Sequence, residues 1–313
     1  MRTVRKLFKL FQAFLLVAVL YVTAGVLWPL DLPKPPGAEA SLLLRNISLV
    51  DLAIGKVRPG TDILVRKGRI EAVGTDLSAP NALELAGAGR YAVPGLFDMH
   101  VHSLRLSPAL THPLYIAAGV TAVRDMGGCL GEYDSWVACA VDKRNWHRAV
   151  EAGEMIGPRF DQVSSLAING GKEIPSGRDP ALGAADAKGA RQRVALDAAR
   201  GIDFLKPYSL LPREGYFALV DSARERGMYL AGHKPLAVSG MEAAAAGQRS
   251  IEHAFLFIWE CYPGIVGLRE LGEISATYTH ETRREMIEQH DAEQCAALRG
   301  AMVAAGTAFV PTH

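Results

Sequence analysis

Two histidines separated by one residue are the first feature of this sequence that could do chemistry. His100 and His102 lie at the end of the run 94–102, which reads Pro-Gly-Leu-Phe-Asp-Met-His-Val-His. If this run is a β-strand, residues two apart point to the same side, and both imidazoles reach one point. Imidazole nitrogens are good ligands for zinc and similar cations. The pair alone is a weak signal, because two histidines also meet at a strand end by chance.

Three more nitrogen-bearing side chains fall where predicted strands end. Lys206 and His233 each follow a short apolar run, and His253 follows the run Ser-Ile-Glu at 250–252. If the strands are parallel, their carboxyl ends share the face on which barrel enzymes build active sites. Each of these residues alone is more often structural, and Lys206 more often a solvated charge. Together with the His-x-His pair they predict a metal centre.

The elements that must position these residues are predicted from about residue 94 onward, where short apolar runs alternate with helical segments. The predicted strands cover residues 96–101, 120–124, 159–164, 202–205, 228–231, 250–252 and 307–310. One predicted helix covers 213–226, with Gly227 as its stop, and another runs from the cap Asp291 to Gly306. Such alternation is typical of parallel strands joined by right-handed crossovers.

The predicted fold class is therefore α/β, with residues 94–313 forming a (β/α)8 TIM-like barrel. Only seven of the eight strands are predicted, so the barrel is expected to lack its last strand. Residues 41–93 contain apolar runs separated by turn signals, without a helical period, and predict a small, partial β-sandwich. With 313 residues, of which 49% are hydrophobic, the chain can bury a core of this size.

The N-terminus predicts a membrane or export signal. Four basic residues precede an uncharged stretch of about 19 residues, which at about 1.5 Å each nearly crosses a hydrocarbon core of roughly 30 Å. The upstream positive charge favours a cytoplasmic N-terminus. Residues 1–30 are thus predicted to be a signal anchor or a signal peptide, and 31–40 a proline-rich linker. Ala38-Glu39-Ala40 fits a cleavage site, so both forms stay open. The rest of the chain is expected on the periplasmic or extracellular side.

The charge balance bears on nucleic-acid binding, and the cysteine spacing bears on disulfide formation. Lys plus Arg (34) and Asp plus Glu (33) nearly cancel, so no basic surface predicts a nucleic-acid partner. None of the four cysteines forms a CxxC pair. Cys129 and Cys139 are close enough in sequence for a disulfide in an exported protein, and unpaired packing is the equal alternative.

Several short motifs together carry a resemblance to a known family. They are Gly68-Arg69-Ile70, Val93-Pro94-Gly95-Leu96, Gly119-Val120-Thr121, Arg124-Asp125, Gly157-Pro158-Arg159, Lys206, His233, Glu252-His253 and Val310-Pro311-Thr312. In combination and in order they resemble the amidohydrolase superfamily, nearest to the group of imidazolonepropionase and Xaa-Pro dipeptidases. The resemblance covers residues from about 41 to 313.

This resemblance implies a barrel beside a β-sandwich, with one or two divalent ions, zinc by preference. His100 and His102 would hold the more buried ion, and His233 and His253 the second. Lys206 would bridge them as a carboxylated lysine, which offers two oxygens. The implied reaction is attack of a metal-activated hydroxide on an amide, cyclic amide or dipeptide-like C–N bond of a small-molecule substrate.

Other polar residues are weaker candidates. Tyr208 and Lys234 lie near strand ends and are candidate substrate contacts, although a salt bridge at the barrel rim is the commoner role there. The remaining histidines are predicted to lie on the surface or directly behind the metal ligands; they include His112, His147, His280 and His290.

One departure from the family pattern leaves two functions open. In the family an Asp at the end of strand eight binds metal and moves protons, whereas here the predicted strands stop at seven. Asp291 is predicted to be a helix cap instead, and His313 follows strand seven. The chain is therefore expected to be truncated at its C-terminus. It is either a hydrolase completed by further residues or a partner, or a non-catalytic amidohydrolase-like protein that binds metal or ligand without turnover. The substrate, the metal and the oligomeric state stay open.

Overall fold

The structure is a computed structural model that describes residues 2–27, 41–131, 134–170, 182–270 and 279–312. The chain divides into two compact units, Met1–Lys34 and Pro35–His313. The predicted linker at 31–40 and His313 lie outside the described residues.

The first unit contains helix α1 (Arg2–Leu27). Within it the 20 residues Lys6–Gly25 have a mean hydropathy of 2.0, and none of this stretch is buried. The helix is long and apolar enough to cross a membrane, a property it shares with signal sequences.

The second unit begins with one mixed β-sheet. Its strands are β1 (Leu42–Asp51), β2 (Lys56–Arg66), β3 (Arg69–Gly74), β4 (Leu83–Ala86) and β5 (Tyr91–Ala92). β1, β2 and β3 pair in antiparallel fashion, while β4 and β5 both pair parallel to β1. β1 is thus paired along both edges, so the strands extend one sheet. The predicted strands are present, but a second layer that would make a sandwich is not among the described residues 41–92.

Seven parallel strands follow. They are β6 (Leu96–Val101), β7 (Val120–Asp125), β8 (Arg159–Val163), β9 (Phe204–Leu205), β10 (Tyr229–Gly232), β11 (Ser250–Glu252) and β12 (Ala308–Val310). β6–β8 form one sheet and β9–β12 another, both in chain order. A single parallel bridge between Ser164 and Phe204 links β8 to β9. All seven predicted strands are confirmed to within two residues at each end. β6 and β12 are the outer strands, and they do not pair with each other among the described residues.

Helices connect these strands. They are α2 (Ser107–Leu110), α3 (His112–Ala117), α4 (Ala140–Glu151), α5 (Ala187–Ala199), α6 (Arg213–Arg224), α7 (Gly240–Ala245), α8 (Phe255–Glu260), α9 (Ile265–Glu270), α10 (His280–Glu288) and α11 (Ala292–Ala305). The Asp291 carboxylate accepts hydrogen bonds from two backbone N–H groups in the first turn of α11, at 2.8 and 2.9 Å. Gly306 ends that helix with φ 70°. Both predicted helix signals are therefore confirmed, and Asp291 is a cap.

The main core lies between β9–β11 and the helices that cover them. Tyr216, Leu219, Leu230 and Ile251 are fully or almost fully buried there. Each such aliphatic side chain stabilises the fold by about 1.5–3 kcal/mol.

Two disulfides add covalent links. Cys129 is bonded to Cys139, so the disulfide alternative for this pair is confirmed. Cys261, just after α8, is bonded to Cys295 in α11. The second bond was not predicted, because 34 residues separate the two cysteines.

Candidate metal centre

The end of β6 places two imidazoles side by side. His100 Nε2 lies 3.2 Å from His102 Nε2. The two rings are stacked, with centres 5.3 Å apart and planes 20° from parallel. The backbone N–H of His100 donates to Asp98 Oδ1 at 3.0 Å, which fixes the strand end. The expectation that both side chains point to one place is met.

The other three predicted residues join this pair. The His253 ring lies 4.9 Å from the His100 ring and 4.6 Å from the His233 ring. Lys206 Nζ lies 3.3 Å from His102 Nε2 and donates to Met126 O at 3.0 Å. All five residues follow or end a parallel strand. They form one cluster, which we call the histidine cluster: His100, His102, Lys206, His233 and His253.

Unusual backbone at two positions makes the cluster possible. His253 has φ 75°, in the left-handed region that non-glycine residues avoid. Glu252 and His253 are neighbours, and in a regular strand they would point to opposite faces. The left-handed turn lets both reach His100. At Gly232 a Cβ atom would lie 2.8 Å from Pro207 O, so the residue before His233 must be glycine for β10 to approach β9 this closely.

Hydrogen bonds fix which nitrogen of two imidazoles is free. Glu252 Oε2 lies 2.9 Å from His100 Nδ1, and a carboxylate only accepts, so Nδ1 donates and Nε2 keeps its lone pair. The Thr312 hydroxyl donates to Pro311 O at 2.7 Å, so its oxygen accepts from His253 Nδ1 at 2.6 Å. Ser209 Oγ lies 2.8 Å from His233 Nδ1. These three partners were missed by sequence reasoning, although Glu252 directly precedes a predicted ligand.

Desolvation favours the neutral form of three imidazoles, those of His102, His233 and His253. The pKa of His102, an exposed residue, falls to about 4 through partial desolvation by its neighbours and the charge of Lys206. Burial lowers the pKa of His233 to about 3 and also lowers that of His253. The pKa of Lys206 falls to about 8, again through burial, against the raising effect of Glu252 and Asp125. Near neutral pH these three rings therefore offer lone pairs, as metal ligands must.

Within the histidine cluster, the pair of His100 and His102 has the spacing that a divalent cation of the zinc type needs. Two nitrogens on one tetrahedral zinc ion, each about 2.0–2.1 Å from it, lie about 3.3 Å apart. The 3.2 Å between His100 Nε2 and His102 Nε2 matches this spacing. In the described part of the chain, three ligand atoms lie within 4.8 Å of one another only at Cys261, His290 and Cys295. There the two sulfurs are bonded to each other.

A buried ion pair holds the loops beside the cluster. Asp125, fully buried, accepts from Lys143 Nζ at 2.7 Å and from Gly127 N at 2.7 Å. Its other oxygen accepts from Ser103 N at 3.1 Å. The pair thus fixes the chain just after His102 and around Met126, whose carbonyl binds Lys206.

The two predicted substrate contacts have different outcomes. The Tyr208 ring stacks on His233 at 4.1 Å and is half-buried, so it borders the cluster. Lys234 is buried, and its Nζ donates to Val238 O at 2.8 Å and pairs with Glu260 at 3.0 Å. Because its charge is taken up inside the protein, the structure gives no support to a substrate contact of Lys234, which stays a prediction. The commoner role, a salt bridge, applies.

His112 also departs from expectation. It is fully buried, and neither ring nitrogen has a hydrogen-bond partner among the described residues. Its ring packs edge-on against Trp146 at 5.0 Å and lies 5.3 Å from the Phe160 ring. It is neither a surface residue nor a neighbour of the histidine cluster, but part of the packing outside β7 and β8.

Comparison with known proteins gives partial sequence matches and a broad structural likeness. No family model matches the chain. An adenine deaminase of Paracoccus denitrificans (strain Pd 1222) is 36% identical over 91 residues, which are 28% of this chain and 15% of that protein. The match therefore spans a small part of the relative's length.

Two solved structures cover most of the chain. One is a prolidase complexed with N-methylphosphonate-L-proline, with 18% identity, a TM-score of 0.55, and coverage of 86% of this chain and 77% of that one. The other is a Xaa-Pro dipeptidase with bound methionine in its active site, with 20% identity, a TM-score of 0.55, and coverage of 88% and 80%. These neighbours share a TIM-barrel-like α/β fold with this chain.

Proposed function

Because this chain is similar in sequence and in fold to proteins of the amidohydrolase superfamily, we propose that it is a metal-dependent hydrolase that cleaves an amide, cyclic amide or dipeptide-like C–N bond. The observation that carries the proposal is the histidine cluster. Four imidazoles and one lysine from the ends of four strands, β6, β9, β10 and β11, converge there, with His100 Nε2 and His102 Nε2 3.2 Å apart.

The residues assigned to the ion are those of the histidine cluster, with Lys206 in its carboxylated form. When bound, a divalent ion such as zinc supplies a Lewis acid and brings the pKa of a bound water to about 7. The protein's part is to hold the imidazoles in fixed tautomers. Glu252 does this for His100, and Thr312 does it for His253.

The side chains around the cluster are assigned to substrate. Tyr208 is held against His233 and offers a phenol to a polar group of the substrate. Phe255 stacks on His253 at 5.3 Å and lies 5.6 Å from His233, so it forms an apolar wall that limits access of water. A small substrate with one polar and one apolar end would fit between Tyr208 and Phe255.

The leaving amine needs a proton, which the family draws from an Asp at the end of strand eight. No residue of the described chain reaches the cluster in that role. The two outer strands of the parallel set, β6 and β12, are where an eighth strand of a closed barrel would pair.

A dipeptide-like substrate is favoured over a nucleobase. The prolidase and the Xaa-Pro dipeptidase match over 86% and 88% of this chain, whereas the adenine deaminase match covers 28%.

We place the catalytic unit outside the cytoplasm, with α1 as an anchor or a signal peptide. The two disulfides support this, since such bonds persist in oxidising compartments. Protease digestion of intact and permeabilised cells tests the location. Protection of the second unit in intact spheroplasts would place it in the cytoplasm instead.

Metal analysis and turnover test the activity. The protein as its cells make it should contain zinc or a similar ion and hydrolyse some members of a panel of Xaa-Pro and other dipeptides. Chelation should abolish turnover, and His100→Ala should do the same. His280→Asn, which changes an exposed histidine of α10, is the matched control and should retain full activity. Metal binding without turnover would favour the non-catalytic alternative, and no metal binding would refute the site.

A further inference from the structure

We propose that Arg124 and Glu252 form a buried positioning pair that holds His100 in the one tautomer and orientation that can bind the ion. The inference rests on the proposed metal site and adds two residues that do not touch the ion or the substrate. It is carried by a closed set of hydrogen bonds that joins β6, β7 and β11 beneath the histidine cluster.

Every polar group in this set has a partner. Arg124 is 4% exposed and Glu252 is fully buried. Arg124 Nη2 donates to Glu252 Oε1 at 2.7 Å, and Arg124 Nη1 donates to Ser250 Oγ at 2.9 Å. The Ser250 hydroxyl in turn donates to Glu252 Oε1 at 2.5 Å. Among the described residues, the other carboxylate oxygen accepts from His100 Nδ1 only.

The third bond of Arg124 acts on the backbone beside His100. Arg124 Nε donates to Met99 O at 2.9 Å. The pairing of β6 with β7 shifts register between Asp98 and Val101, so the regular ladder is interrupted at Met99 and His100. The guanidinium therefore supplies a hydrogen bond where the ladder has none. One side chain thus fixes both the backbone next to His100 and the carboxylate that holds its ring.

Stability does not explain this arrangement. A buried ion pair is often no more stabilising than apolar side chains of the same volume, because both charges lose their hydration. What the pair does supply is a fixed acceptor at Nδ1, which forces the lone pair onto Nε2. Partners of this kind behind a metal-binding histidine typically account for about 10–100-fold in metal affinity.

The first test measures zinc affinity of the metal-depleted full chain by competition with a chelating dye. Glu252→Gln should weaken zinc binding by about 10–100-fold, because its amide can donate to Nδ1 and so favour the wrong tautomer. Arg124→Gln should weaken it as well. The double variant should lose much less than the product of the two effects, since Arg124 acts through Glu252. If both single variants bind zinc within threefold of the wild type, or if their effects on affinity are fully independent, the proposed positioning role of the pair is refuted.

A matched control separates positioning from folding. Arg193 and Asp197 form another buried arginine–carboxylate pair, at 2.6 Å, on α5 and away from the cluster. Asp197→Asn should lower the unfolding temperature and leave zinc affinity unchanged. If Glu252→Gln does not fold, Ser250→Ala replaces it and should still weaken zinc binding by severalfold.

The second test needs no metal and so distinguishes this inference from the proposed function. Long-range nitrogen–proton NMR of histidine-labelled, metal-free protein reports which nitrogen of each ring carries hydrogen, and His100→Asn assigns the signal. His100 should carry its hydrogen on Nδ1 in the wild type and lose that preference in Glu252→Gln. A wild-type ring protonated on Nε2 would refute the inference, even if the protein binds zinc and turns over substrate.

Discussion

Fold stability should fall in mild acid through a residue outside the histidine cluster, His112. Burial lowers the pKa of His112 to about 4, from an ordinary value of 6.5. The surroundings explain this, since the ring is packed against Trp146 and Phe160 without a hydrogen-bond partner among the described residues. Gly157 closes the other side, where an added Cβ would lie 3.1 Å from His112 Cβ.

The sign and size of the change in the free energy of unfolding follow from proton linkage. Above pH 6.5 His112 is neutral in both the folded and the unfolded chain, so its burial makes its full contribution to stability. As the pH falls, the unfolded chain takes up a proton that the folded chain refuses until about pH 4. The free energy of unfolding therefore falls by about 1.4 kcal/mol per pH unit within this window. At pH 5 this one residue has lowered the free energy of unfolding by about 2 kcal/mol, and below pH 4 the loss levels off at about 3 kcal/mol.

Urea denaturation followed by tryptophan fluorescence measures this, at pH 7 and pH 5 with chelator present. His112→Phe keeps an aromatic ring and cannot titrate, so the wild type should lose about 2 kcal/mol more than this variant between the two pH values. His280→Phe, at an exposed position, should keep the wild-type dependence. Equal losses in the wild type and His112→Phe would show that the ring is solvated or paired, and the reasoning would fail.

Three further outcomes are expected. Thr312→Val should weaken zinc binding severalfold in a dye competition, because His253 Nδ1 loses its acceptor, whereas Thr312→Ser should not; equal affinities would remove the role of the hydroxyl. Replacing both Cys261 and Cys295 by Ser should lower the free energy of unfolding by about 2–4 kcal/mol in urea titrations, since the bond restricts the unfolded chain. Lys234→Met should lower stability, because Glu260 loses a buried partner, but leave the KM for dipeptides unchanged; a raised KM would return Lys234 to the substrate site.

Local patterns in the sequence were enough to predict the strands and the histidine cluster. Each parallel strand is a short apolar run, and its last polar residue marks the carboxyl end, so His233 and His253 could be placed without knowing the strand order. The resemblance to the amidohydrolase superfamily, noticed from short motifs, agrees with the proteins to which this chain is similar.

What could not be predicted depends on pairing between distant residues. Arg124 and Glu252 are 128 residues apart, and nothing near either of them indicates the other. The single sheet formed by residues 41–92 likewise depends on which strand pairs with the free edge of β1. The side chain of Lys234 could not be placed because neighbouring residues at a strand end point to opposite sides, and only Glu260 shows which side it takes.

The left-handed backbone at His253 places two separate requirements on the residue at this position, one from the backbone conformation and one from the histidine cluster. Its φ of 75° suits glycine and asparagine, while the cluster asks for an imidazole. A complete substitution scan at this position should therefore give two different rankings. Asparagine and glycine should head the ranking for folding, and histidine should head the ranking for metal binding. Introducing a histidine at the equivalent position of another barrel would therefore not by itself create this site, because the left-handed backbone is needed as well.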